Sequence, residues 1–369
     1  MAKYKIAWLE GDGVGKDISE ATMIVLKAVN LDAEYIPGDI GWEFWIKEGN
    51  PLPQRTIDLM KSTDCAFFGA ITSKPKKEAE KELSPALKEK GFSYRSPIVL
   101  MRQLLDLYIC LRPCKAYPGN PLNFKDGIDL VIFRENTEDL YSGVEFSKLS
   151  EEMLKIKGME KVPKDAAVSL KINTKKGCEC IIRAAFEFAR KNKRKKVTSV
   201  QKANVIRITD GLFLETAKEI SKEYPEIAFD SANIDAMCMW LLKNPFDYDV
   251  LVAPNLYGDI ISDLAAQLVG GLGFGCSGNI GDNYAVFEPS HGSAPKYAGQ
   301  YKVNPIASIL AAKMMMYWLG EIELAKQVES AVAQVIKEGE TRTYDMGGND
   351  STLDMANAVA KKIHSEIKK

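Results

Sequence analysis

Along the chain, short apolar runs rich in valine, isoleucine and phenylalanine alternate with longer stretches whose apolar residues recur at helical spacing. KIAWL at 5–9 leads into SEATMIVLKAVN at 19–30, and CAFFGA, DLVIFREN, KVTSVQKAN and DVLVAPN repeat the strand half of the pattern further on. Such alternation predicts an α/β fold with largely parallel strands. The segment 145–170 breaks the rhythm, being polar, lysine-rich and only weakly periodic, and predicts an inserted arm. RKNKRKK at 190–196 closes the helical pattern IIRAAFEFA just before a strand. Cations suit a helix C-terminus, so this run predicts a solvated helix end and not a nucleic-acid patch. No internal repeat is evident.

Glycines punctuate this pattern at two places that invite a nucleotide reading. GDGVGKD at 11–17 follows the first apolar run, but its third glycine comes one residue too early for the dinucleotide fingerprint, and Lys16 holds the required position. A phosphate-binding P-loop fails as well, because Glu10 stands at the first glycine and Asp17 follows the lysine. A tight turn with positive φ accounts for these residues without a ligand. A true GxGxxG occurs at Gly273–Gly278, yet it follows a helical pattern instead of a strand and is expected to be a flexible connection.

Composition narrows the function classes. A length of 369 residues suggests two domains, or one interrupted by another. With 49 basic and 50 acidic residues there is no overall field to favour nucleic acid or an anionic membrane, so any anion site must be local. No apolar run approaches the ~20 residues that span a bilayer, and the N-terminal sequence carries no signal-peptide pattern, so a soluble cytoplasmic protein is expected. Seven cysteines without CxxC spacing read as free thiols, mostly buried. With only His291 and His364, chemistry based on a histidine cluster is improbable.

Charge converges elsewhere. Arg102 and Arg112 flank the apolar segment of MRQLLDLYICLRP, and Arg134 ends an otherwise apolar strand. A buried arginine must be paired or must hold an anion, and its planar fork is suited to carboxylates. The chain's own carboxylates could satisfy these arginines, or a substrate could. Asp259 and Asp263, four apart at a helix start, share one face. Their repulsion calls for favourable placement near the helix N-terminus or for a divalent cation, to which Asp235 could contribute. Lys202 closes a strand and Tyr141 follows Arg134 by seven residues; each could move a proton.

Taken in order, GDGVGKD, MRQLLDLYICLRP, FRENTEDLYSGVE, QKANVIRITDGLF, NLYGDIISDLAAQLVGG and VFEPSHGSAPKYAGQYKVNP resemble the β-decarboxylating dehydrogenases of 2-hydroxy acids, the isocitrate, isopropylmalate and homoisocitrate dehydrogenases. Within that family LDLYICLRP, RENTEDLYSGVE and the arm are most similar to bacterial NADP-type isocitrate dehydrogenases. The resemblance implies that family's fold, which is not a Rossmann fold. It comprises a large discontinuous α/β domain (1–105 and 270–369), a smaller α/β domain (106–144 and 171–269) and a clasp-like arm at 145–170, with substrate in a cleft that closes by hinge motion.

The resemblance implies roles as well. Ser96, Arg102, Arg112, Arg134 and Asn204 would bind substrate, with Tyr141 and Lys202 catalytic. Asp259 and Asp263 would bind Mg²⁺ or Mn²⁺ together with Asp235 of the partner subunit, and Lys202 would also cross between subunits, so the active unit would be a homodimer. NADP would meet Thr72, His291, Gly292, Lys296, Tyr297, Val303, Asn304, Tyr344 and Asp345. Lys296 stands where NAD-using members usually carry an acid, and suits a 2′-phosphate. Four positions depart from or qualify the pattern. Gly348 replaces an expected arginine. Ile98 replaces the usual asparagine of isocitrate enzymes and suits an isopropyl pocket, while Val99 replaces the arginine that homoisocitrate enzymes tend to carry. Ser96 matches the isocitrate pattern and resembles the serine that some bacterial members phosphorylate, where a phosphate would repel the substrate carboxylate. Isocitrate is therefore the expected substrate, with homoisocitrate and isopropylmalate as alternatives. A silent regulatory subunit would be expected to lack one of the metal aspartates, the lysine or the tyrosine, and this chain has them all.

Overall fold

Twelve strands alternate with helices over residues 2–367, the part that this computed structural model describes. Ten strands form one sheet: β1 (Tyr4–Gly11), β2 (Ala33–Pro37), β3 (Cys65–Ala70), β4 (Ile109–Lys115), β5 (Asp129–Glu135), β8 (Lys196–Gln201), β9 (Ala228–Asn233), β10 (Val250–Ala253), β11 (Cys276–Ile280) and β12 (Ala285–Pro289). Their spatial order is β2-β1-β3-β12-β11-β4-β5-β10-β8-β9. The wings β2-β1-β3-β12 and β5-β10-β8-β9 are parallel throughout. Between them β12-β11, β11-β4 and β4-β5 are antiparallel. The periodicity thus foretold the parallel wings but not the antiparallel seam that joins them, because alternation of elements carries no record of strand direction.

Both chain ends build one wing. A single apolar cluster joins Ile6, Val25 and Phe67 to Phe287, Ile309 and Val359, packing the Gly15–Ala28 helix with the Ile306–Trp318, Ile322–Glu338 and Thr352–Ile367 helices. The other wing buries its own clusters, around Phe133, Phe186 and Phe213 on one side and Leu130, Leu251 and Ile261 on the other. CAFFGA is buried at all six positions, as expected for a parallel strand covered on both faces.

The irregular segment at 145–170 leaves the sheet. β6 (Glu145–Phe146) pairs antiparallel with β7 (Val168–Ser169), and the excursion between them holds the short helix Glu151–Leu154, whose N-cap Ser150 accepts from the Met153 amide. No helix among the described residues is long and apolar enough to cross a membrane. All seven cysteines are free thiols, five of them buried.

The first glycine turn is explained by contact. A Cβ on Gly11 (φ +72°) would lie 1.9 Å from the Ala70 carbonyl oxygen, and one on Gly13 (φ +57°) would lie 2.1 Å from that of Ser293. These glycines let the turn press against the end of β3 and the 291–294 loop. Asp12, between them, accepts from the amides of Trp42 (2.7 Å) and Thr72 (2.8 Å) and so ties three loops together. The second string corrects the expectation of a flexible connection. Its last three residues are the start of β11 in the middle of the sheet, and the Gly273 carbonyl accepts from the Ala307 amide at 2.8 Å.

Candidate active site

Three elements carry the converging charges. β4 and β5 present Arg112 and Arg134 on the same face of the sheet, and the Asn255–Leu268 helix lies across that face with Asp259 and Asp263 turned towards them. Gly258 permits the approach, since a Cβ there would sit 2.6 Å from the Arg134 side chain.

The arginines are paired within the chain. Arg134 is 1% exposed; it bonds Asp259 through Nη1, and its Nε and Nη2 donate to Asn255 Oδ1 at 3.0 and 2.7 Å. Arg112 donates through Nη1 to Ser262 (2.7 Å) and Asp263 (2.8 Å), with Nη2 3.6 Å from Asp259. One guanidinium therefore spans both aspartates and resolves their mutual repulsion. Arg102 is held slightly apart, donating to Asn279 Oδ1 (2.9 Å) and Glu288 Oε1 (3.3 Å).

Tyr141 joins the same cluster. Its hydroxyl donates to Asp259 Oδ2 at 2.6 Å, and the Arg134 guanidinium lies over its ring at 4.9 Å. Burial and the bond to Asp259 push its pKa up, so it remains a proton donor at neutral pH. For Asp259, burial pulls the pKa up, but Arg134, Arg112 and the Tyr141 bond outweigh it and hold the group below its ordinary value. A carboxylate lowered on folding adds stability above its unfolded value, near 3.9, and loses it as pH falls through the folded value. Urea midpoints are accordingly expected to drop below about pH 4, and to drop less in Asp259→Asn.

Lys202 and Asp235 form an ion pair with each other, Lys202 just beyond β8 and Asp235 in the first turn of the Ile234–Lys243 helix. Asp235 is not gathered with Asp259 and Asp263; among the described residues no three His, Cys, Asp or Glu side chains group as a metal centre. Asn204 stands exposed in the turn after Lys202. Ser96 is the N-cap of the Pro97–Leu104 helix, near the hydroxyls of Ser73 and Tyr94.

The residues assigned to a nucleotide lie around the loops at 291–304 and 343–348. Lys296 Nζ sits 4.7 Å over the Tyr297 ring, which is 5.8 Å from that of Tyr344. Asn304 Nδ2 donates to Asp345 at 3.1 Å, and the Val303 carbonyl accepts from Thr352. Thr72 shares a 2.6 Å bond with Ser293. His291 Nδ1 lies 3.0 Å from the carbonyl oxygen of Gly292, which is exposed; burial lowers the His291 pKa, leaving it neutral. Gly348 is fixed by packing, since a Cβ would fall 2.0 Å from the Arg342 carbonyl oxygen.

Sequence reasoning missed a buried network behind these groups. Lys171, just past β7, pairs with Asp139 (2.8 Å) and Asp210 (3.1 Å), both 0% exposed. Asp139 accepts from the Leu256 amide at the start of the aspartate-bearing helix, and Asp210 accepts from the Lys202 amide, each at 2.8 Å. Lys171 thus links the Tyr141 turn, the aspartate helix and the Lys202 loop. No signal in the sequence marked it; the positive φ at Asp139 (+64°) shows only in the backbone.

The sheet topology, with arginines facing paired aspartates and a tyrosine donor between them, agrees with the family that the sequence resembles. The chain belongs to the isocitrate/isopropylmalate dehydrogenase family, whose model matches residues 5–359. It is 41% identical to 3-isopropylmalate dehydrogenase of Archaeoglobus fulgidus over 97% of this chain and 99% of that protein. It is also 41% identical to the isocitrate/homoisocitrate dehydrogenase of Thermus thermophilus, over 98% of this chain and 99% of that one. A crystal structure of isocitrate dehydrogenase from Methylococcus capsulatus superposes with a TM-score of 0.86 at 40% identity, covering 98% and 99% of the two chains. Against protein DlpA of Legionella pneumophila, a longer relative, the chain spans 58% of the length. Members of the family generally use a nicotinamide cofactor and a divalent metal.

Proposed function

We propose that the chain oxidises isocitrate to 2-oxoglutarate and CO₂ with reduction of NADP. The observation that carries this reading is the convergence of Arg112, Arg134 and Tyr141 on Asp259 and Asp263. In the free chain each charge satisfies another. A polycarboxylate and a cation entering together would let the arginines pass to substrate carboxylates while the aspartates turned to the cation, so that no buried charge would be left alone.

The donor set fits a hard cation with oxygen ligands, Mg²⁺ or Mn²⁺, on Asp259 and Asp263 with Asp235 of the partner subunit. When bound it supplies Lewis acidity at the substrate's hydroxyl and adjacent carboxylate. Lys202, reached from the partner in the same way, would take the hydroxyl proton, and a nicotinamide held by the 291–304 and 343–348 loops would supply the hydride acceptor for C2. Loss of CO₂ leaves an electron pair at C3, and Tyr141, whose raised pKa keeps its proton, delivers that proton there. A homodimer is supported by exposed apolar residues on the elements that carry these groups: Val205, Ile208, Met239, Leu242 and Ile260.

Two features favour isocitrate over isopropylmalate. The hydroxyls of Ser73, Tyr94 and Ser96 gather at the start of the Pro97–Leu104 helix and suit a third carboxylate. Ile98, which invited an isopropyl reading, is partly buried and packs against the cluster of Leu9, Phe68 and Met101. The relatives' mixed names keep homoisocitrate and isopropylmalate as the second reading. Assays of the three acids against NAD and NADP with Mg²⁺ decide it; turnover of isopropylmalate with NAD alone would overturn both assignments.

The aromatic pair Tyr297 and Tyr344 beside Lys296 supports NADP, as one cation and two hydroxyls would hold a 2′-phosphate. Lys296→Glu is expected to cut the kcat/KM preference for NADP over NAD by about 10–100-fold, the worth of one charge-assisted contact plus the repulsion that replaces it. An unchanged preference would place the phosphate elsewhere.

A further inference from the structure

A cavity of about 620 Å³ lies on the sheet face opposite the aspartates, and strand alternation fixes that placement. On β4, Arg112 faces Asp263, so Leu111, Pro113 and Lys115 point the other way, and all three line the cavity. On β5 Arg134 faces the site while Asp129 and Val131 line the cavity. On β11 and β12 the same division separates Asn279 and Glu288, which hold Arg102, from Ile280 and Phe287. The outer wall comes from the Ile306–Trp318 and Ile322–Glu338 helices and the end of the Lys175–Lys191 helix.

The interior is apolar, with Val131, Phe188, Ile280, Phe287 and Met314 among its lining, and the volume is of the size that small ligands fill. Its charges do not balance. Lys115, Lys191, Arg194, Lys313 and Lys326 face only two carboxylates, Asp129 and Glu329. Arg194 is matched by Asp129 and Asp249, and Lys326 by Glu323, but Lys115 (2.7 Å) and Lys313 (3.4 Å) must share Glu329.

Lys313 is the telling residue. It stands in IASILAAKMMMYW, a helix buried without interruption from Ile306 to Met316, and is itself 9% exposed. Nothing in the packing of an apolar helix calls for an ammonium there. Of its three donor positions, the one contact found among the described residues is long, at 3.4 Å. A buried ammonium so thinly coordinated has room for a second anionic acceptor.

We propose that this cavity is a second ligand site for a small organic anion with an apolar body. Its carboxylate would dock between Lys313 and Lys115 and its body would lie on Phe287, Met314 and Phe188. The proposal is independent of which hydroxy acid the catalytic site takes. The test is titration of the full chain with the fluorescent aromatic anion 8-anilinonaphthalene-1-sulfonate, followed by competition with 4-phenylbutyrate. Expected is one saturable site per chain, displaced by 4-phenylbutyrate and indifferent to isocitrate and NADP. Lys313→Met should weaken binding about tenfold or more through loss of the charge-assisted contact, and Met314→Trp should block it by filling the cavity. Should either variant fail to fold, Lys115→Met, altering a half-exposed residue, should still weaken binding. Displacement by NADP, or undiminished binding in the folded variants, would overturn the proposal.

Discussion

Lys202→Met is expected to lower kcat by about 10²–10⁴ while leaving the KM for the hydroxy acid within a few-fold, the signature of a lost proton-transfer group. Methionine keeps the length and apolar stem of lysine but cannot accept a proton. Lys202 lies beside Asp235 and outside the arginine cluster, so the groups proposed to bind the substrate carboxylates stay in place. Steady-state kinetics with metal and cofactor saturating, over pH 6–9, would check this. A rise in KM with kcat intact would instead make Lys202 a binding residue. Tyr141→Phe belongs to the same class, with one difference: it also removes a 2.6 Å bond to Asp259, so a modest loss of stability should accompany the loss of rate.

The largest effect on stability is expected from Lys171→Met. Asp139 and Asp210 are 0% exposed and Lys171 supplies cationic partner contacts to both. Removing one member of a buried ionic group costs about 3–5 kcal/mol because the remaining charges stay buried without compensation. Urea denaturation should show the loss as a lower midpoint at unchanged slope. Asp139 and Asp210 each accept a backbone amide from a site element, so turnover of the folded fraction should fall as well. A loss of less than about 1 kcal/mol would mean that the pairing of Lys171 with the two aspartates does not hold the fold together.

The contrast between these two residues shows where sequence reading stops. Lys202 and the three arginines were legible as candidates because each sits at the edge of an apolar run, where a polar group needs a reason, while Tyr141 and the roles of all five came from the family resemblance. Lys171 was not legible: it lies in the lysine-rich stretch after the arm, where one more lysine looks like solvated surface. Its burial comes from the closing of the chain over Asp139 and Asp210, neither near it in sequence. Asn255, Asn279 and Glu288, which hold the arginines, were missed for the same reason. Fold class followed from the periodicity, whereas strand order did not: β12 sits between β3 and β11, a placement set by long-range pairing. At Gly348 a Cβ would meet the Arg342 carbonyl oxygen, and Ile98 is partly buried against a core cluster, contacts that no sequence pattern displays.

The pairing of β3 with β12 sets Ala66 beside Val286, so the N-terminal wing cannot complete its sheet until most of the chain has left the ribosome. The wing built from β5, β8, β9 and β10 needs only residues between 129 and 253 for its strand pairs, and closing those shorter loops costs less entropy. Chain order is therefore expected to become folding order, with the middle of the sequence setting first and the first and last segments condensing onto it together. During synthesis the apolar faces of β1 and β3 wait exposed for partners not yet made, which places the period of greatest aggregation risk before the arrival of the Ile306–Trp318 helix.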